Sequence, residues 1–78
     1  MQNMHEMVPG HLYVTTEGYY LCSAWGECGP SIKRGTVLMF LQPAWEGKLN
    51  GSIFAKVLYE DRIWLINITK LKLVEYEV

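Results

Sequence analysis

The sequence predicts a small all-β domain: a five-stranded antiparallel barrel with one short helical turn before the last strand. Three observations lead to this prediction. Short apolar and β-branched runs alternate with glycine, proline and acidic turn residues. No segment of about ten residues has the 3.6-residue apolar period of an amphipathic helix. The chain has 78 residues, half of them hydrophobic, which suits one core and is too short for two domains.

The first third of the chain predicts an arm, a first strand, a second segment of aromatic and apolar residues, and a loop. Residues 1–10 are rich in methionine and end at Pro-Gly, and we expect this N-terminal arm to be partly flexible. We expect residues 11–78 to form the single folded domain. Residues 11–16 and 19–23 are rich in strand-forming residues. Residues 24–30 contain two glycines and a proline, which predicts a long irregular loop.

The middle of the chain predicts a turn, a strong strand and a hairpin. Lys-Arg-Gly at residues 33–35 is a turn signal, and the apolar run at 36–41 is the strongest strand. Residues 42–51 contain a proline, two glycines and an asparagine, which predicts a second loop. Strands at 52–59 and 62–66 are separated only by Glu-Asp, so we expect a hairpin.

The end of the chain predicts a capped helical turn and a final strand. Asn67 is suited to cap a short turn over residues 68–71. Residues 73–78 alternate apolar and charged side chains, which indicates a half-exposed strand.

This order of elements resembles the SH3-like small β-barrel family. The run Ile-Lys-Arg-Gly-Thr-Val-Leu at residues 32–38 looks like the diverging turn and second strand of that family. Residues 56–75 are similar in style to small bacteriophage-encoded proteins with SH3-like folds. The resemblance implies a viral or phage-type adaptor or inhibitor that contacts a host protein in the host cytoplasm.

Charge and residue counts argue against several classes of function. Seven basic and eight acidic residues give a net charge of -1, so no global charge favours nucleic acid or a membrane surface. No run of about 18 apolar residues or signal peptide is evident, and we expect a cytoplasmic protein with no membrane partner. Two histidines and one aspartate offer no catalytic constellation, so we expect no enzyme activity and no cofactor.

The cysteines and histidines also lack the spacing of a metal site. Cys22 and Cys28 are too far apart in sequence for a typical zinc pair, and His5 and His11 do not improve it. We therefore predict no metal. Cys22 is expected in a strand and Cys28 in a loop, and the sequence leaves their redox state open.

The predicted strands are apolar on both faces, so something must cover the second face. Either the first loop and the N-terminal arm fold over it, or a partner or a second copy of the chain does.

The favoured function is non-enzymatic protein–protein interaction. Its predicted partner-binding residues are aromatic, two of them tryptophans in glycine-rich loops: Trp25, Trp45, Tyr19, Tyr20 and Trp64. A nucleic-acid-associated barrel is the alternative, and it would use Lys33, Arg34, Lys70 and Lys72. A self-assembling or virion-associated subunit, a homo-oligomer, is the third possibility.

Overall fold

The computed structural model describes residues 7–23, 27–46, 53–69 and 73–76, with the side chains of residues 45 and 46 excepted. The described residues form seven strands and no helix. The strands are β1 (Leu12–Thr15), β2 (Tyr19–Cys22), β3 (Cys28–Ile32), β4 (Val37–Glu46), β5 (Ile53–Tyr59), β6 (Arg62–Asn67) and β7 (Leu73–Glu75).

The strands make one antiparallel sheet in the order β3-β2-β6-β5-β4-β1-β7. The all-β class is confirmed. The five-strand count is wrong, because β2 and β3 add a hairpin between the predicted first strand and the turn at 33–35. Within the described residues β3 and β7 do not pair with each other, so the sheet is open and not a closed barrel.

The β2–β3 hairpin replaces much of the predicted first loop. Tyr19 pairs with Ile32 and Tyr20 with Ser31, and the register then shifts before Cys22 meets Cys28. The sequence did not predict β3, because glycine and proline, found here at positions 29 and 30, usually end strands. Proline is tolerated at bulges and on edge strands, where its missing N–H is not needed, and β3 is both shifted in register and at the sheet edge.

Strand β4 is longer than the sequence predicted and passes through Pro43. Its register against β5 shifts between Phe40 and Gln42 and again between Pro43 and Trp45. Such bulges bend a strand and raise its twist. Trp45 therefore lies in a strand, paired with Phe54, and not in a loop as predicted.

All seven strands contribute to one core on the inner face. The buried apolar residues are Met7, Tyr13, Leu21, Ile32, Leu38, Phe40, Ala55, Val57, Ile66, Ile68 and Leu73. Tyr13 and Phe40 meet edge to face, with ring centroids 6.1 Å apart. Because these side chains come from both ends of the strand order and form one cluster, the sheet must curl around them. Met7, from the predicted N-terminal arm, is buried among them, and residues 1–6 lie outside the described part.

The chain turns at two of the predicted connections, but the second turn differs in type from the prediction. The hairpin between β5 and β6 is confirmed, with Tyr59 opposite Arg62 and positive φ angles at Glu60 (50°) and Asp61 (62°). Asn67 does cap locally, since its Oδ1 accepts the Thr69 N–H at 2.9 Å. This is a turn at residues 68–69 and not the predicted helical turn, and residues 70–72 are not described.

Candidate functional site

A groove lies against the β2–β3 hairpin and the turn that follows it. Its cavity volume is about 530 Å³. The residues that line this hairpin groove are Gly18, Tyr19, Tyr20, Ser31, Ile32, Lys33 and Arg34. It brings together two tyrosines predicted to bind a protein and two cations predicted for the nucleic-acid alternative.

Strand pairing determines which side chains reach solvent. Directly opposed residues of an antiparallel pair project to the same face, and neighbours along a strand alternate. Tyr19 and its partner Ile32 pack on the core, whereas Tyr20 and its partner Ser31 point outward. Tyr20 is 61% exposed, the largest exposure of any large apolar or aromatic side chain described.

The turn that carries the two cations is held by the buried Thr15. Its Oγ1 donates to the Lys33 carbonyl oxygen at 3.0 Å and accepts the Thr36 N–H at 3.1 Å. The Thr15 carbonyl oxygen accepts the N–H of Gly35, whose φ of +86° suits glycine. The predicted turn at residues 33–35 is thus confirmed, and the backbone beneath the cations is fixed.

The groove is electropositive on its turn side. Lys33 and Arg34 are both exposed. Among the described residues, no carboxylate oxygen lies within 4.0 Å of a side-chain nitrogen of either cation. Both cations are therefore available to a bound anion. Glu17, exposed at the position before Gly18, is the acidic residue adjacent in sequence to the lining.

The other predicted site residues lie elsewhere or outside the described part. Trp64 is half-buried and packs on the core, and its Nε1 donates to the Tyr59 carbonyl oxygen at 3.2 Å. It does not line the hairpin groove. Trp25, Lys70 and Lys72 lie outside the described residues, and the side chain of Trp45 does too.

The outer face of the sheet carries two apolar rows that run across several strands. The sequence predicted that the second face is apolar, but not which residues are neighbours across the strands. Val74, Val14 and Val37 are consecutive partners across β7, β1 and β4. A second row joins neighbouring positions on β1, β4, β5 and β6, and its members are Leu12, Met39, Leu58 and Ile63. Ile63, at the end of this row, is 59% exposed. We refer to these two rows as the outer apolar rows.

Three lining residues were not predicted as site residues: Gly18, Ser31 and Ile32. These residues line the groove because β3 pairs with β2. The only indication in the sequence was that polar Ser31 is followed by apolar Ile32, which fits a strand with one exposed and one buried face. Within the described ranges, no three His, Cys, Asp or Glu side chains group as a metal site. The described segments also include no helix with the length and apolarity to span a bilayer.

Comparisons of the chain with protein-family models, with curated proteins and with solved structures found no match.

Proposed function

We propose that the chain is a non-enzymatic protein–protein interaction module that binds an acidic segment of a partner protein in the hairpin groove. The supporting observation is that one exposed aromatic side chain, Tyr20, and two cations, Lys33 and Arg34, border the same groove. Tyrosine and arginine are enriched among the residues that dominate interface energies.

The chemistry of the groove defines the partner segment. The Arg34 guanidinium offers a planar pair of donors that suits a carboxylate, and Lys33 adds a point charge. An exposed ion pair contributes only about 0–1 kcal/mol, so the cations supply mainly selectivity and association rate. Burial of the Tyr20 ring supplies the larger apolar contribution. We therefore expect an aspartate or glutamate of the partner next to an apolar side chain.

The fixed turn favours this function because binding then costs little ordering of the backbone. The buried Thr15 hydroxyl and the positive φ of Gly35 hold the backbone at residues 33–36 before any ligand arrives. A preorganised binding surface loses less conformational freedom on association than a flexible one.

We also propose that the sheet is an SH3-like variant. In its support, the strands at the five predicted positions, β1, β4, β5, β6 and β7, are consecutive neighbours in one sheet, in the order β6-β5-β4-β1-β7. The β2–β3 hairpin then occupies the place of the long first loop. The phage-type adaptor or inhibitor remains a prediction that follows from the resemblance alone.

The test is capture of partners by immobilised protein from a lysate of the source cell or its host, with and without nuclease. Tyr20→Ala and the double variant Lys33→Glu with Arg34→Glu should lose the partner. The matched controls are Ile63→Ala, which removes an equally exposed apolar side chain, and Arg62→Glu, which reverses an exposed charge outside the groove. Both controls should retain it.

Circular dichroism of each variant separates loss of binding from loss of fold. Retention of the same protein by both groove variants would contradict the proposed site. Loss of that protein by both folded control variants would place the contact at the start of β6, outside the groove.

A second candidate function is binding of single-stranded nucleic acid. The observation that favours it is again the exposed Tyr20 beside two cations, since an aromatic ring next to basic residues is a platform for base stacking. Fluorescence anisotropy with a labelled oligothymidine measures it directly. Two phosphate contacts predict a slope of log K against log salt of about -1.4. Absence of binding at low salt would eliminate this candidate.

The outer apolar rows favour a third candidate, self-assembly. Single exposed apolar residues are ordinary, but aligned rows across several strands form a continuous patch. Sedimentation velocity across a range of protein concentrations measures association. A dimer that Ile63→Asp dissociates would support assembly through these rows, and a monomer at every concentration would exclude it.

A further inference from the structure

The sheet places the two cysteines of the chain directly opposite each other. Cys22 near the end of β2 pairs with Cys28 at the start of β3, and both thiols are free. The sequence predicted Cys28 in a loop, so this pairing depends on strand β3, which was not predicted.

The hydrogen bonds next to the pair define its type. Ser23 donates its N–H to the Glu27 carbonyl oxygen at 2.9 Å, and the Glu27 N–H bonds the Ser23 Oγ at 3.1 Å. Hydrogen-bonded and non-hydrogen-bonded residue pairs alternate along an antiparallel ladder. Because Ser23 and Glu27 form a hydrogen-bonded pair, the adjacent cysteines form a non-hydrogen-bonded pair. In such pairs the Cα atoms are about 4.5 Å apart, within the range of about 4.4–6.8 Å that a disulfide requires.

The pair is accessible and lies outside the core. Cys28 is exposed and Cys22 is partly exposed. Cys22 neighbours Leu65 on the outer face, and Leu21 beside it fills the core instead. A bond between the two sulfurs would therefore leave the buried cluster in place.

We propose that Cys22 and Cys28 form a redox-active dithiol site that low-molecular-weight disulfides convert to an intramolecular cross-strand disulfide. The thiolate of the more exposed Cys28 attacks the donor disulfide, which forms a mixed disulfide and releases one donor thiol. The Cys22 thiolate then attacks the Cys28 sulfur and displaces the second donor thiol. Two protein thiols are oxidised, and one donor disulfide is reduced to two thiols.

The exposure of the pair makes this modification reversible. Solvent-exposed disulfides are reduced more readily than buried structural ones. The closed ring would span residues 22–28 and link the end of β2 to the start of β3. The site is independent of the hairpin groove, whose lining includes neither cysteine.

The test is equilibration of the full chain in mixtures of reduced and oxidised glutathione, followed by alkylation and intact-mass spectrometry. The expected product is a monomer that has lost two hydrogen atoms and takes up no alkylating agent. The same equilibration in urea gives the reference for the unfolded chain. We expect the folded chain to favour the internal disulfide by about tenfold or more, because the sheet holds the thiols together.

A register-shifted variant is the matched control. Cys28→Ser combined with Glu27→Cys moves the second thiol by one position and so to the opposite face of the strand. In the folded state it should accumulate mixed disulfides with glutathione, whereas in urea it should resemble the native sequence. Circular dichroism establishes that the variant is folded.

Three results would overturn the inference. One is equal formation of the internal disulfide by the folded and unfolded native chains. Another is equal formation by the folded native and register-shifted chains. The third is accumulation of mixed disulfides or linked dimers in place of the internal disulfide.

Discussion

The contact between Gly29 and Trp64 predicts a large effect from a single methyl group. A Cβ at Gly29 would lie 2.5 Å from Cζ3 and 2.7 Å from Cε3 of Trp64, and 2.9 Å from the Leu21 carbonyl oxygen. Favourable contacts between carbon atoms are about 3.5–4.0 Å long. Gly29→Ala therefore requires the indole ring to move by about 1 Å, and the backbone oxygen prevents the methyl group from retreating.

Two effects on the Trp64 ring determine the expected loss in the free energy of unfolding. Overpacking of a filled site costs about 1–3 kcal/mol. Displacement of the ring also strains the bond from Trp64 Nε1 to the Tyr59 carbonyl oxygen, and a bond of this kind contributes about 1 kcal/mol. We expect Gly29→Ala to lower the free energy of unfolding by about 2–3 kcal/mol. For a domain of this size that corresponds to a fall in Tm of about 10 °C or more.

The assay is urea unfolding followed by circular dichroism, in a double-mutant cycle with Trp64→Leu. Removal of the ring removes the overlap, so the two substitutions should couple by at least about 1 kcal/mol. Gly18→Ala is the control glycine, since its Cβ would lie 3.3 Å from its nearest neighbour, the Ile32 carbonyl oxygen, and we expect a loss below about 1 kcal/mol. A loss below about 0.5 kcal/mol for Gly29→Ala, or no coupling with Trp64, would refute the reasoning.

Thermal and urea unfolding test three further predictions. Asp61→Gly should stabilise the domain by about 0.5–1 kcal/mol, because Asp61 has a positive φ in a two-residue hairpin turn that favours glycine; Asp61→Ala should give no such gain. Gly35→Ala should destabilise by about 1 kcal/mol through backbone conformation alone, since its Cβ would meet nothing within 4 Å, and an unchanged Tm would argue against the left-handed turn. Thr15→Val should cost about 1 kcal/mol because it removes both hydrogen bonds of the buried hydroxyl, and a more stable variant would contradict that role.

Local patterns in the sequence predicted the parts of the fold that depend on neighbours in the chain. Alternation along residues 36–41 placed Leu38 and Phe40 on one face, and both are buried. Lys-Arg-Gly predicted the turn at 33–35, and Glu-Asp predicted the hairpin between β5 and β6. In each case the side chains that determine the structure are adjacent to the backbone they shape.

Contacts between distant segments determine the parts that the sequence could not predict. Gly29 reads as a strand breaker, yet its missing side chain makes room for the ring of Trp64 on another strand. Pro43 reads as a loop residue, yet β4 accommodates it between two register shifts. Without β3, the pairing of Tyr20 with Ser31 could not be foreseen. The tyrosines and the cations were therefore assigned to different functions, although they border one groove.

The place of β1 between β4 and β7 has a consequence for how the domain is assembled. β1 can pair with β4 once the middle of the chain is available, but its other neighbour comes from near the opposite end of the sequence. Closure of so long a segment costs chain entropy before any contact forms, so we expect docking of β7 to be a late event in folding. Until β7 docks, one edge of β1 is unpaired, and an unpaired strand edge is a template for association with other chains.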